Sequence, residues 1–344
     1  MKNSRSAIEV LGFEQWEALK AKGANMASLG EKVSGGKPTG REGIIIGVLK
    51  KLPLSQLRKQ DIIPTRVEGL ETDVVEFHQV YLLPKVQETD EYRTVEHIPA
   101  FGGISIGHPE VTAGTLGCKV WKGGKAYALT NWHVGNMNEG KVGDPMYQPG
   151  PYDGGNSFNT LGPIFFKPGV AISGGNIPAP PSDCPWFGAI VSTSNLLGRI
   201  FRSRTRLAAV RPQDQEINMV DMCLVGPLTE DKLISLIYEI DDVDTRNWCE
   251  FMVGDNVYKS GRTSGVTSGI VKRTGVSITV GLGGIKFADF HDQINFDDIS
   301  EGGDSGSAIL SKLDNCIGSL LFAGSDTDTF GNRWKNIRVI AGLD

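Results

Sequence analysis

The sequence predicts an all-β protein carrying a small N-terminal α/β unit. Glycine supplies 44 of the 344 residues, about twice the usual share, which suits tight turns between short strands. From about Phe101 onward, short apolar runs alternate with Gly-rich turns. Ahead of that point, residues 43–80 mix strand-like and helix-like runs, and 81–98 are polar and patternless. The expected division is therefore residues 1–95, an α/β extension and candidate regulatory unit, and residues 96–344, a β domain.

In the extension, Ile8 to Lys22 reads as a helix with a narrow apolar stripe of Leu11, Trp16 and Leu19. Gly23 to Gly40 is rich in Gly, Ser and Lys and reads as a loop. Gly43-Ile44-Ile45-Ile46-Gly47-Val48-Leu49 is a short buried strand. Pro53 opens a brief helix, since proline is tolerated in a first turn. Thr72 to Phe77 reads as another strand.

In the β domain, Cys118 to Trp121 and Ala126 to Leu129 form a hairpin across Lys122-Gly123-Gly124-Lys125. The paired glycines supply the positive φ angles of a tight turn. Residues 136–187 are dense in Gly, Pro, Asn and Asp and read as long surface loops. Within them, Ile177 to Pro181 is expected to be extended. No internal repeat of fixed period is visible.

Composition narrows the function classes. Apolar residues make up 40%, enough for a packed core. The net charge is −5, from 35 basic and 40 acidic residues, and no basic block stands out. Nucleic-acid binding therefore has little support. No apolar run is long enough for a membrane span, and the N-terminus lacks the apolar core of a signal peptide. Five cysteines (Cys118, Cys184, Cys223, Cys249 and Cys316) form no CxxC pair, which argues against structural zinc. Cys118, Cys223 and Cys316 read as small buried hydrophobes. A reducing, cytoplasmic setting is the expectation.

Three segments carry chemistry. In Glu301-Gly302-Gly303-Asp304-Ser305-Gly306-Ser307, a serine sits in a glycine turn ahead of the apolar strand Ala308-Ile309-Leu310. A serine hydroxyl needs a neighbouring base and donors aimed at the developing charge. The turn allows the Gly303 and Ser305 amides to serve as an oxyanion hole. In Ala126 to Val134, an apolar strand ends in Thr130-Asn131-Trp132 and His133 follows, a suitable place for a general base. In Ile217 to Val225, Asp221 interrupts an apolar strand. Such an acid costs free energy unless hydrogen-bonded, and orienting a histidine would satisfy it. Asp214 and Asp242 are rivals, but they lie in charged stretches without the apolar setting.

These segments, with Val257-Tyr258-Lys259-Ser260-Gly261-Arg262-Thr263-Ser264-Gly265-Val266-Thr267-Ser268-Gly269, resemble the trypsin/chymotrypsin-like serine proteases. The resemblance is closest to bacterial members such as alpha-lytic protease. The wider pattern, with Gly103 to His108 and Leu320 to Ser325, is similar to bacterial trypsin-like peptidases and the plant narrow-leaf protein. It covers roughly residues 40–340. It implies two six-stranded antiparallel barrels, with His133 and Asp221 in the first and Ser305 in the second. It implies a serine endopeptidase with the triad His133, Asp221 and Ser305, no cofactor and no metal. Ser307 stands where many members have glycine. The primary pocket would be floored near Ile299 and Ser300, and Phe322-Ala323-Gly324 would pair with the substrate backbone. Secreted members are often switched on by cleavage, with a new N-terminus pairing to the acid before the nucleophile; here that acid is Asp304, and the sequence does not name its partner. The expected partners are a polypeptide substrate and a regulatory protein or second copy, with no nucleic acid and no membrane. The competing readings are a catalytically silent binding module, a partner-gated component of a bacterial defence or stress assembly, and an esterase.

Overall fold

A computed structural model describes residues 5–34, 37–82, 90–172 and 217–344. The expected extended run at 177–181 and the rival Asp214 lie outside these residues. The described chain is all-β in class, with three α-helices among the described residues: α1 (Ala7–Lys20), α2 (Glu91–Thr94) and α3 (Trp334–Ala341).

Helix α1 starts at a reciprocal cap. The Ser6 hydroxyl accepts the Glu9 N–H, and the Glu9 carboxylate accepts the Ser6 N–H. Its backbone leaves helical geometry at Gly12 (φ 66°), with Ala7 and Leu11 buried before the break and Trp16 and Leu19 after it, so the residues of the expected stripe are the ones that pack. The expected loop at 23–40 is instead mostly strand. β1 (Ala24–Ser34) and β2 (Lys37–Val48) run antiparallel, with Ala27 opposite Ile46 and Leu29 opposite Ile44. The pairing is made by backbone groups. The small and polar side chains that suggested a loop are tolerated beside the isoleucines of β2.

β2 continues parallel to β4 (Leu70–Glu76), which turns back on the short β3 (Arg66–Val67). This N-terminal set is not separate from the rest of the β-structure. β1 pairs antiparallel with the long strand β17 (Gly265–Gly281), Met26 facing Ile278 and Ala27 facing Ser277. One 11-stranded sheet results. It also holds β16 (Asn256–Gly261), β18 (Phe287–Asp297), β19 (Ala308–Ser311), β20 (Ile317–Gly324) and β21 (Asp328–Arg333). A short strand, β5 (Val80–Leu82), also joins it, between β17 and β20.

The second main sheet has five strands. It runs β11 (Pro145–Tyr147), β12 (Thr160–Phe166), β13 (Cys223–Leu228), β10 (Lys125–Thr130) and β9 (Cys118–Lys122). The expected hairpin is the β9–β10 pair, and its turn glycines Gly123 and Gly124 both have positive φ. The two-stranded pair β7 (Ile104–Ile106) and β8 (Gly114–Leu116) lies beside them. One core cluster spans both main sheets. Cys118, Val120, Leu129, Met222 and Leu224 pack there with Leu310, Ile317, Leu320, Trp334 and Ile337. The 136–172 part of the expected loop region holds two strands, β11 and β12, among its turns.

Cys118 and Cys223 are free and buried. Cys316 corrects the sequence expectation, because it forms a disulfide with Cys249 across a separation of 67 residues, Cα–Cα 5.7 Å. The Cys249 N–H donates to the Ile317 carbonyl (3.0 Å), which aligns the two segments. Such cross-links persist mainly in oxidising compartments, in tension with the reducing setting expected from composition. Replacing both cysteines by alanine is expected to lower the unfolding free energy by about 2–4 kcal/mol. Urea denaturation monitored by fluorescence, with no reductant present, measures this.

Candidate active site

His133 sits just beyond the end of β10, and Asp221 just before the start of β13, the neighbouring strand. Antiparallel pairing of these strands brings two residues 88 positions apart together. The His133 Nδ1 lies 2.7 Å from the Asp221 Oδ2, and the His133 backbone N–H points at Oδ1 (3.3 Å). Asp221 is fully buried, and the His133 side chain is only 10% exposed. A buried carboxylate on Nδ1 fixes that nitrogen as the protonated one and turns Nε2 outward as the acceptor.

Asp221 is itself held. The Asn332 side-chain carbonyl accepts the Asp221 N–H (2.8 Å), and the Asn332 amide donates to the Asp221 carbonyl (3.0 Å). The Asn131 amide reaches the same carbonyl (2.7 Å). Asn332 lies on β21, so this two-way bond clasps the aspartate to the 11-stranded sheet. Sequence reasoning missed it, because a lone asparagine near a strand end carries no local signal.

Ser305 occupies the turn before β19. Gly303 and Gly306 take φ of 103° and 100°, the left-handed region that favours glycine. A Cβ on Gly306 would also stand 2.2 Å from the Thr115 carbonyl and 2.5 Å from the Thr130 hydroxyl. Ser307, where the family often has glycine, is accommodated by donating its hydroxyl to the Asp304 carbonyl (2.6 Å). Among the described residues, neither the Gly303 nor the Ser305 N–H has a protein acceptor, which leaves both available as donors.

Thr115 on β8 ties this turn to the histidine segment. Its N–H donates to the Ser305 carbonyl (2.8 Å) and its hydroxyl to the Gly303 carbonyl (2.8 Å). Its own carbonyl accepts the hydroxyl of Thr130, three residues ahead of His133 (2.8 Å). A Cβ on neighbouring Gly114 would meet both Val134 (2.4 Å) and the Ser305 carbonyl (3.0 Å). The two segments are therefore adjacent. The Ser305 hydroxyl, however, is buried and makes no hydrogen bond. The structure joins His133 to Asp221 and does not join Ser305 Oγ to the imidazole in this conformation.

The partner that the sequence left open for Asp304 is Lys259. Both side chains are fully buried, and Lys259 Nζ lies 3.0 Å from Asp304 Oδ2. Oδ1 accepts the Thr263 and Ser264 N–H groups (2.9 and 3.1 Å), and Oδ2 accepts the Glu301 N–H (3.0 Å) and the Ser264 hydroxyl. Burial alone would raise this carboxyl. The Lys259 charge and these donors outweigh burial and hold it below its ordinary 3.8. Arg262 extends the motif outward by pairing with Asp153 through its Nε (3.0 Å).

The remaining candidates are placed as follows. Ile299 is buried among Phe251, Val271, Phe296 and Leu321, and the Ser300 hydroxyl meets that of Thr329 (2.8 Å). Phe322 and Ala323 are buried in β20. Ala323 and Gly324 pair with Leu82 and Tyr81 of β5. Asp242 is exposed in the short strand β15 (Asp241–Asp242), away from any histidine contact among the described residues.

No family model matches the sequence, and no curated protein matches it significantly. Solved serine proteases are similar to it in structure. A glutamic acid specific serine protease aligns at 17% identity over 71% of this chain and 98% of its own, TM-score 0.44. Thermobifida fusca Protease A aligns at 17% identity over 71% and 96%, TM-score 0.44. Nocardiopsis protease aligns at 15% over 71% and 96%, TM-score 0.43. The likeness is distant, and the roles of single residues rest on the geometry above.

Replacing Lys259 by methionine leaves the Asp304 carboxylate buried and unpaired. It is expected to cost about 3–5 kcal/mol of stability near pH 7. In the parent, the depressed carboxyl gives stability that is present above the ordinary pKa and lost as pH falls through the lower folded value. In the variant the Lys259 charge is gone and only the neutral N–H and hydroxyl donors oppose burial, so the carboxyl rises and protonation relieves the strain. The gap between the two proteins should narrow as pH is lowered towards 4.5, read by urea denaturation at both pH values.

Proposed function

We propose that this chain is a serine endopeptidase working through His133, Asp221 and Ser305. The observation that carries the reading is the buried Asp221 carboxylate on His133 Nδ1 at 2.7 Å, tied through Thr115 to a serine turn with two available amides.

In this reading, His133 Nε2 takes the Ser305 proton as Oγ attacks the carbonyl carbon of the peptide bond. Asp221 keeps the imidazole in the required tautomer and stabilises its charged form. The Gly303 and Ser305 N–H groups receive the charge on the tetrahedral oxygen, where one such donor is worth about 3–4 kcal/mol. The imidazolium then protonates the leaving amine, and the acyl-enzyme forms. Water, deprotonated by His133, attacks the acyl carbon and releases the acid and Ser305. The residues supply nucleophile, base and oxyanion donors, so the reaction proceeds without a cofactor. A rotation of the Ser305 side chain towards His133 is required first, as is common where hydrogen bonds tighten only with substrate bound.

A catalytically silent module is the second reading, favoured by the buried, unbonded Ser305 hydroxyl. A fluorophosphonate probe separates the two. The peptidase reading expects one adduct, mapped by mass spectrometry to Ser305 and lost in Ser305→Ala and His133→Ala. It also expects Asp221→Asn to lower the turnover number by about 10³–10⁴-fold with its fold intact, measured on a quenched-fluorescence peptide library. An adduct that survives in Ser305→Ala removes Ser305 as nucleophile. Absence of any adduct under all conditions favours the silent module.

A further inference from the structure

The edge of β20 beside the serine turn is already filled. One edge of β20 is covered along its length by β21, from Ser319 opposite Arg333 to Gly324 opposite Thr329. The other edge pairs first with β19, Ala308 opposite Leu320. It then pairs with the turn itself. The Gly306 N–H donates to the Leu321 carbonyl, and the Leu321 N–H donates to the Ser307 carbonyl (both 2.9 Å). Two residues further on, the same edge pairs antiparallel with β5, Ala323 opposite Leu82 and Gly324 opposite Tyr81. The far side of β5 is closed by β17, with Val80 beside Val280 and Tyr81 beside Gly281.

β5 has the form of a bound peptide. It is three residues long and extended, and its side chains alternate. Val80 and Leu82 are buried with Trp132, Phe290, Phe322 and Phe330, and Tyr81 is half exposed. Trp132 immediately precedes His133. The N-terminal strands present β5 by backbone anchors: the Phe77 N–H donates to the Val48 carbonyl (2.8 Å), and the Asn25 amide donates to the Phe77 carbonyl (3.0 Å). Gln79 adds a bond to the Thr279 carbonyl (3.0 Å).

We infer that β5 is an intramolecular occupant of the peptide-binding edge, and that the chain holds its own site closed to substrate. The inference rests on the peptidase reading for its consequence, not for its geometry. Strand addition draws affinity from backbone hydrogen bonds and selectivity from alternate side chains. The outside ligand that replaces β5 is therefore an extended polypeptide with apolar side chains at the two positions of Val80 and Leu82. A tethered strand acts at an effective concentration on the order of millimolar, so a free peptide at micromolar concentration does not displace it.

Two variants free the edge. Val80→Asp with Leu82→Asp places charge in the apolar seat. Tyr81→Pro leaves both buried side chains in place and removes a ladder hydrogen bond. In a Ser305→Ala background, a fluorescent peptide of residues 77–82 is expected to bind either variant at least tenfold more tightly than the parent, by anisotropy. With Ser305 intact, fluorophosphonate labelling is expected to accelerate at least tenfold. Circular dichroism selects the variant that folds, and Tyr81→Pro serves where the double variant does not. Peptide binding equal to the parent's, or absent, in a folded variant overturns the inference. So does labelling of parent and variant at one common rate, a result that leaves the peptidase reading standing. Tighter peptide binding without any labelling supports β5 as occupant and overturns the peptidase reading.

Discussion

The Asp304 carboxylate organises the site. It lies in a fully buried position, and only a dense set of donors makes its charge tolerable there. Those donors come from two places: the turn that carries Ser305, and the segment from Lys259 to Ser264. The carboxylate therefore welds the Ser-Gly-Arg-Thr segment to the serine turn. Arg262 then carries the connection to Asp153 beyond it. The positive φ angles at Gly303 and Gly306 bend the backbone around this charge, and the two unused amides are a by-product of that bend.

A second buried acid, Asp221, does the parallel work on the histidine side. Its carboxylate faces His133, and its backbone is gripped by Asn332 from the other sheet. The two acids differ in kind. Asp304 is neutralised by a lysine of its own sheet and serves shape. Asp221 has no cationic side chain on it among the hydrogen bonds described, so its charge faces the imidazole. Thr115 stands between the two halves with a hydrogen bond to each.

The strand-rich class, the α1 stripe and the three candidate side chains were legible because each leaves a local mark. Leu11, Trp16 and Leu19 stand out as large apolar residues in a mostly polar stretch, Asp221 breaks an apolar run, and Ser305 sits among glycines. The β1 strand was not legible, since Ala24 to Ser34 has few branched residues and owes its conformation to the backbone of β2. Cys316 read as a hydrophobe because its partner Cys249 is distant in sequence and lies in an undistinguished stretch. Asn332 and Lys259 act through polar groups aimed at residues far along the chain, and no spacing rule reports such pairs. β5 was hidden for the same reason. Val80-Tyr81-Leu82 is too short to announce a strand, and its two neighbours come some 200 residues or more later.

The position of β1 has a consequence for how the molecule is made. Its Met26 waits for Ile278, and β5 waits for Val280 and Ala323. Pairings of such long sequence separation form slowly, because loop closure must precede the contacts that reward it. A chain emerging N-terminus first has its α1 and β2 partners to hand but not these. The serine turn is complete only when β19 and β20 exist, and β20 is also the strand that completes the seat of β5. Cover and site therefore arise in the same late step of folding, leaving little interval in which a finished site stands uncovered.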